Sequence, residues 1–261
     1  MACVGLFSSL RNAAMLDATP LVFNSLFWAA VVLAVVFAGA IVQAGLGMGF
    51  GLSVAPLLAL IDPMMVPTAA LFLGSATSFA GAWAEREHIV WREVGIGFAG
   101  RFIGILVGGW VLLSLTDVKL FSLVFGCTIL FAVVLTTIGW QLALNGFNLV
   151  TMGLLSGFTG IITSVGAPPL ALIYQNRPAI PSRPTLATFF ALGGAFSLAF
   201  IFASGRGDWV DIQMALFMVP AAITGTWFGR RLRGRFDTRY RPALLMIALG
   251  ASILLIMRGL S

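Results

Sequence analysis

The chain reads as an all-α polytopic membrane protein made of two inverted five-segment repeats. Three observations predict this: its composition, the lengths of its apolar runs, and a pair of related glycine- and proline-rich breaks. Of 261 residues, 60% are hydrophobic and only 9% charged, with a mean hydropathy of +1.04, more apolar surface than a soluble domain can hide. An apolar helix crosses the hydrocarbon in about 20 residues, so roughly eight to ten crossings would use nearly the whole chain.

The elements follow in order. Residues 1–21, with Arg11 as their one basic residue, are expected to form an interfacial segment rather than a cleaved signal peptide. The first repeat, 22–141, holds apolar runs at Val22 to Ala44, Leu52 to Ile61, Val66 to Ala84, Val94 to Leu115 and Leu120 to Trp140. The second, 147–258, holds Phe147 to Val165, Pro168 to Tyr174, Thr185 to Ala203, Ile212 to Phe228 and Pro242 to Met257. Eight of these are long, and the runs from Leu52 and Pro168 are short. Ten helical residues rise only ~15 Å, half of a ~30 Å hydrocarbon core, so the short runs read as broken helices. Such breaks are tolerated at membrane depth where protein or a wet cavity satisfies the freed backbone.

Both short runs begin at a break, Gly45 to Gly51 in the first half and Val165 to Pro169 in the second. Pro56-Leu57-Leu58-Ala59-Leu60 falls on Pro168-Pro169-Leu170-Ala171-Leu172 and Gly45 on Gly157. Further on, Pro67-Thr68 falls on Pro184-Thr185, Phe72 on Phe189, and Gly104 and Gly108 on Gly225 and Gly229, an internal repeat. Loop charge then gives the topology, because cytoplasmic loops are enriched in Lys and Arg. If all ten runs cross, one side carries Arg86, Arg92, Arg177, Arg183 and the six arginines of 230–241, against Arg11, Lys119, Arg206 and Arg258, ten to four. Merging each short run with its neighbour moves Arg86, Arg92 and Lys119 and gives nine to five, so ten segments are preferred. Five segments per half is an odd number, which turns the second half upside down, and in either scheme the loop charge places 230–241 in the cytoplasm.

Inverted repeats with discontinuous helices are the recurrent construction of secondary transporters. A helix that starts inside the membrane aims backbone N–H groups and partial positive charge at whatever lies beyond it, a position suited to an anion. The candidate substrate-binding residues are therefore Gln43, Gly47, Gly49, Gly51 and Ser53 at the first break and Thr163, Ser164 and Gly166 at the second. A glycine taken alone reads rather as a packing face between helices, and it is the repeat-related pair of breaks that reads as the site. Arg101, seven residues into its run, either attracts the anion from a cavity wall or snorkels to the interface. Asp62 is the one acid near membrane depth and reads as an Asp-Pro turn, and the scarcity of such acids argues against a proton relay.

Other chemistries find little material. Cys3 and Cys127 form neither a disulfide framework nor a metal pair, so no metal and no cofactor is expected. The sole histidine, His88, falls in the loop Glu85-Arg86-Glu87-His88, and no HExxH or phosphate-loop pattern is present, so the chain is not expected to be an enzyme. The net charge of +6 lies between apolar runs and does not point to nucleic acid. The partners expected are a small anion and the lipid bilayer, with homo-oligomerisation left open.

Gly45-Leu-Gly-Met-Gly-Phe-Gly-Leu-Ser-Val-Ala-Pro56, with Gly157-Phe-Thr-Gly160 and Gly166-Ala-Pro-Pro-Leu170, resembles the sulfite exporter TauE/SafE family. Arg183-Pro-Thr-Leu186 and the small residues around Gly225 and Gly229 extend the resemblance over nearly the whole chain. It implies export, or in some members uptake, of sulfite, organosulfonates or related anions across a prokaryotic inner membrane. Two departures, Ile161-Ile162-Thr163-Ser164 in the second break and Arg101 in a stretch more often apolar, bear on the substrate more than on the fold. The expected activity is thus export of a sulfur-containing anion. The alternatives are an ion-coupled importer, an intramembrane enzyme and an accessory subunit.

Overall fold

The computed structural model describes residues 23, 25–46, 50–231 and 240–261. The interfacial segment expected at 1–21 and the candidate residues Gly47 and Gly49 lie outside the described residues. Ten α-helices and no strand occur among the described residues. In the first half they are α1 (Leu26–Leu46), α2 (Phe50–Ile61), α3 (Thr68–Ala84), α4 (Trp91–Ser114) and α5 (Val118–Ile138). In the second they are α6 (Gly146–Thr163), α7 (Ala167–Tyr174), α8 (Ala179–Ala203), α9 (Trp209–Arg231) and α10 (Tyr240–Leu260). Each lies on one of the ten apolar runs. The largest shift is at α8, which starts six residues before Thr185 and takes in the basic segment around Arg183. Pro181 falls in the first turn, where its missing N–H has no intrahelical partner to lose, and Pro184 lies inside the helix, one turn further on.

Six helices, α1, α4, α5, α6, α8 and α9, are long and apolar enough to cross a membrane. Helix α3, at 17 residues, rises about 26 Å, just short of the hydrocarbon thickness. Large apolar side chains such as Phe27, Trp110, Ile223 and Met246 are exposed, as expected where the solvent is lipid. All seven tryptophans are exposed, Trp28, Trp83, Trp91, Trp110, Trp140, Trp209 and Trp227, and each sits within about one turn of a helix end. Placing the amphipathic indole at the headgroup level of both faces is a signature of membrane proteins.

Lipid tails are as apolar as leucine, so helices associate in a bilayer through close packing of small residues. Helix α4 lies against α6 in this way. Side chains added at Gly100 and Gly104 would overlap the carbonyl oxygens of Val150 and Leu154, and added at Gly153 and Gly157 those of Gly97 and Arg101. Helix α9 lies against α1 by the same device, Gly225 on the backbone of Phe37 and Gly229 on that of Ile41. Residue numbers rise together along both interfaces, so each pair runs parallel. Helix α5 packs on α10 and α3 on α8, while the short helices α2 and α7 pack on α10 and α5 respectively.

Polar contacts sort the connections into two ends. Val90 N donates to Thr185 Oγ1 at 3.0 Å, Gln175 Nε2 to Trp140 O at 2.6 Å and Arg230 Nη2 to Ala80 O at 2.9 Å. These bring the connections after α3, α5 and α7 together with the end of α9. At the other end Arg206 Nη2 donates to Leu115 O, and Lys119 Nζ to Ser261 O at 2.9 Å.

Candidate functional site

The two breaks touch. A Cβ added to Gly51, in the first turn of α2, would overlap the carbonyl oxygen of Ser164, the residue that ends α6. Only a glycine lets the two backbones approach this closely. Ser164 itself takes the left-handed conformation, φ 62°, and its Oγ donates to Pro67 O at 2.9 Å across the halves. Beside this contact lies a cavity leaving about 50 Å³ open to water-sized occupants, enough for a few waters or one small oxyanion. Its wall includes Gly51 and Leu52 of α2, Ser75 and Ser78 of α3, Arg101 of α4, and the turn from Ser164 to Ala167.

Arg101 dominates the chemistry. It does not snorkel to the interface, as one reading of its position allowed, but is 3% exposed. It shares a helix face with Gly97, Gly104 and Gly108, which face α6 and α8 rather than lipid, so its stem is directed inward. Its Nη1 donates to Ser156 Oγ at 2.8 Å, and that hydroxyl in turn donates to Gly166 O. Its guanidinium lies 4.8 Å from the ring of Phe189 and 5.4 Å from that of Phe190. Gly193 leaves room for it, since a side chain there would overlap Nε. That Nε has no hydrogen-bond partner among the described residues. Among the described residues no carboxylate lines the cavity, so a cation is held at depth with aromatic faces and one hydroxyl, and with donor capacity left over.

The first break is organised by Gln43. Its Oε1 accepts from Phe50 N at 2.9 Å and its Nε2 donates to Ser78 Oγ at 3.1 Å. The side chain therefore caps the first turn of α2 while lining the cavity. Gly51, Ser164 and Gly166 also line it, together with Arg101. Ser53 and Thr163 do not. Ser53 is turned toward Gly39 of α1 and donates to Phe50 O, and Thr163 Oγ1 donates to Thr159 O and accepts from Val165 N. Asp62 accepts from Met64 N at 3.0 Å and caps the short 3-10 turn Pro63–Met65, in keeping with an Asp-Pro turn.

Sequence reasoning missed Ser75, Ser78, Ser156, Phe189, Phe190 and Gly193. Ser156 carries a readable signal, since it lies one turn before Gly160 on the helix whose end forms the break. Phe189 and Phe190 carry none, because aromatics are as much at home against lipid as around a cation. No group of three or more metal-ligating side chains occurs among the described residues.

A helical bundle with exposed apolar walls, tryptophans at its helix ends, and a buried cationic cavity where two broken helices meet defines a multi-pass membrane protein of the transporter class. The family model for the sulfite exporter TauE/SafE matches residues 31–255, and the chain belongs to that family. Neither the curated proteins nor the solved structures gave a match.

Proposed function

We propose that the chain exports a small sulfur-containing oxyanion, sulfite or an organosulfonate, across a prokaryotic inner membrane by alternating access. The anion binds between the two breaks, with Arg101 as its counter-charge and the first turn of α2 and the turn at Ser164–Gly166 around it. The observation that supports this reading is a buried, partly unsatisfied guanidinium in a cavity that no carboxylate lines among the described residues. Charge-assisted hydrogen bonds to an oxyanion would use the donors that the protein leaves unused.

An inverted repeat fits the packing. Exchanging α1–α5 for α6–α10 turns the α4–α6 contact into α9–α1, α4–α8 into α9–α3, and α2–α10 into α7–α5, and leaves α3–α8 and α5–α10 unchanged. The arginines near residues 86–92, 183 and 230 share one end, in line with ten segments and a cytoplasmic loop at 230–241. Toward the opposite end the cavity meets an apolar cluster of Leu71, Ile105, Leu112, Ile161, Ile162 and Ile201. Leu71 belongs to both, so this cluster serves as the closed outer gate, and rocking of the halves opens it.

Export needs no coupling ion. Each negative charge leaving a cell with a negative interior gains ~2.3 kcal/mol per 100 mV, and a dianion about twice that. The test is sulfite flux in proteoliposomes under an imposed potential. Flux that follows the potential and carries current supports the reading. Strict dependence on a proton gradient would sink it in favour of a coupled importer.

A further inference from the structure

The cavity at the breaks adjoins a second, smaller one. Between α1, α3, α8 and α9 lies a cleft lined by Thr77, Arg183, Thr226 and Arg230, and it shares Gln43 and Ser78 with the central cavity. The hydrogen bond from Gln43 Nε2 to Ser78 Oγ is therefore a partition between two polar spaces. The cleft leaves about 20 Å³ for water-sized occupants, room for at least one ordered water. No acid lines it. Arg230 donates through Nη2 to Ala80 O, while half-buried Arg183 has no hydrogen-bond or ion-pair partner among the described residues. Thr226 Oγ1, buried at atom level, has no partner either. Two guanidinium groups, an unused hydroxyl and no carboxylate are the donor set of an oxyanion site.

We propose that this cleft is a second, weaker oxyanion site, through which the anion reaches the central cavity from the Arg183–Arg230 end, with Gln43 as the gate. The proposal rests on the central-site reading for the anion's chemistry. Gln43 suits the role because it also holds Phe50 N through Oε1. An anion that displaces the Gln43 amide from Ser78 frees, in the same movement, the first N–H of α2. Opening the partition and exposing a donor of the central site are one event. The cleft's charges raise the local anion concentration and favour capture, an effect that salt screens.

The experiment is equilibrium binding of radiolabelled sulfite to the purified full-length protein at low ionic strength. It compares wild type with Arg183→Gln, with the Arg183→Gln/Arg230→Gln pair, and with Arg101→Gln, each checked by thermal melting. Two classes of site are expected in wild type. The weaker loses affinity by at least ~10-fold in the double variant and is also weakened in Arg183→Gln, which leaves the Arg230–Ala80 bond in place. The tighter class is retained in both and lost in Arg101→Gln. A single class in wild type, or a weaker class that survives in the double variant, overturns the proposal. Retention of the tighter class in Arg101→Gln instead overturns the central-site reading.

Discussion

The two breaks occupy equivalent places in their halves and are built from different chemistry. At the first, α2 opens on Phe50-Gly51-Leu52, whose residues all carry backbone N–H groups, and Gln43 holds the first of them. At the second, α7 opens on Ala167-Pro168-Pro169, so two of its first three residues have no N–H to offer. The positive end of α7 is thus poor in donors. Arg101, whose nearest polar contacts are Ser156 and the Gly166 region, stands where those donors are missing. By the proposed repeat its counterpart is Ala222, which would leave the first break without such a residue. Symmetry of the backbone does not require symmetry of charge. In the proposed arrangement of inverted halves, the site draws partial charges from one helix and a full charge from a side chain supplied to the other.

Removing the full charge should have the largest effect. Arg101→Gln is expected to weaken sulfite binding ~100-fold, about 2.7 kcal/mol, with thermal stability unchanged or raised, because an isolated buried cation is relieved. Arg101→Lys should lose about 10-fold, since an ammonium keeps the charge without the fork. Unchanged affinity in both would break the comparison by making the two breaks alike. Gly193→Ala should come next. Its added methyl displaces the guanidinium at a cost of about 1–3 kcal/mol, read as ~10-fold weaker binding with Arg101 still present.

The first break answers through stability instead. Gln43→Leu leaves Phe50 N without its acceptor and should cost about 1–3 kcal/mol, seen as a lower melting temperature. The finest test of the asymmetry is Pro168→Ala in the Arg101→Gln background. Restoring one N–H to the first turn of α7 should recover roughly threefold in affinity, within the range of a neutral hydrogen bond. No recovery would mean that the prolines shape the turn without affecting the anion.

Much of the fold was legible because length is a strong signal in a bilayer. The runs at Leu52 to Ile61 and Pro168 to Tyr174 were too short to span, and they coincide with α2 and α7 nearly residue for residue. Which face of a helix a residue takes was far less legible. In a soluble helix polar residues mark the outside, but here lipid and core are both apolar, so nothing in the sequence told Ser53, turned toward α1, from Ser164, which lines the cavity. Arg101 was the exception that went unused. Its spacing from Gly97 and Gly104 placed it on the α6-facing side of α4, which argued against lipid and for burial.

Selenite has the shape of sulfite and scatters anomalously, so a crystal structure of the protein with selenite would locate the anion. The strongest anomalous peak is expected in the cavity between Gly51, Ser164 and Arg101, within hydrogen-bonding reach of the guanidinium. A strongest peak elsewhere, with the Arg101 cavity empty, would contradict that placement.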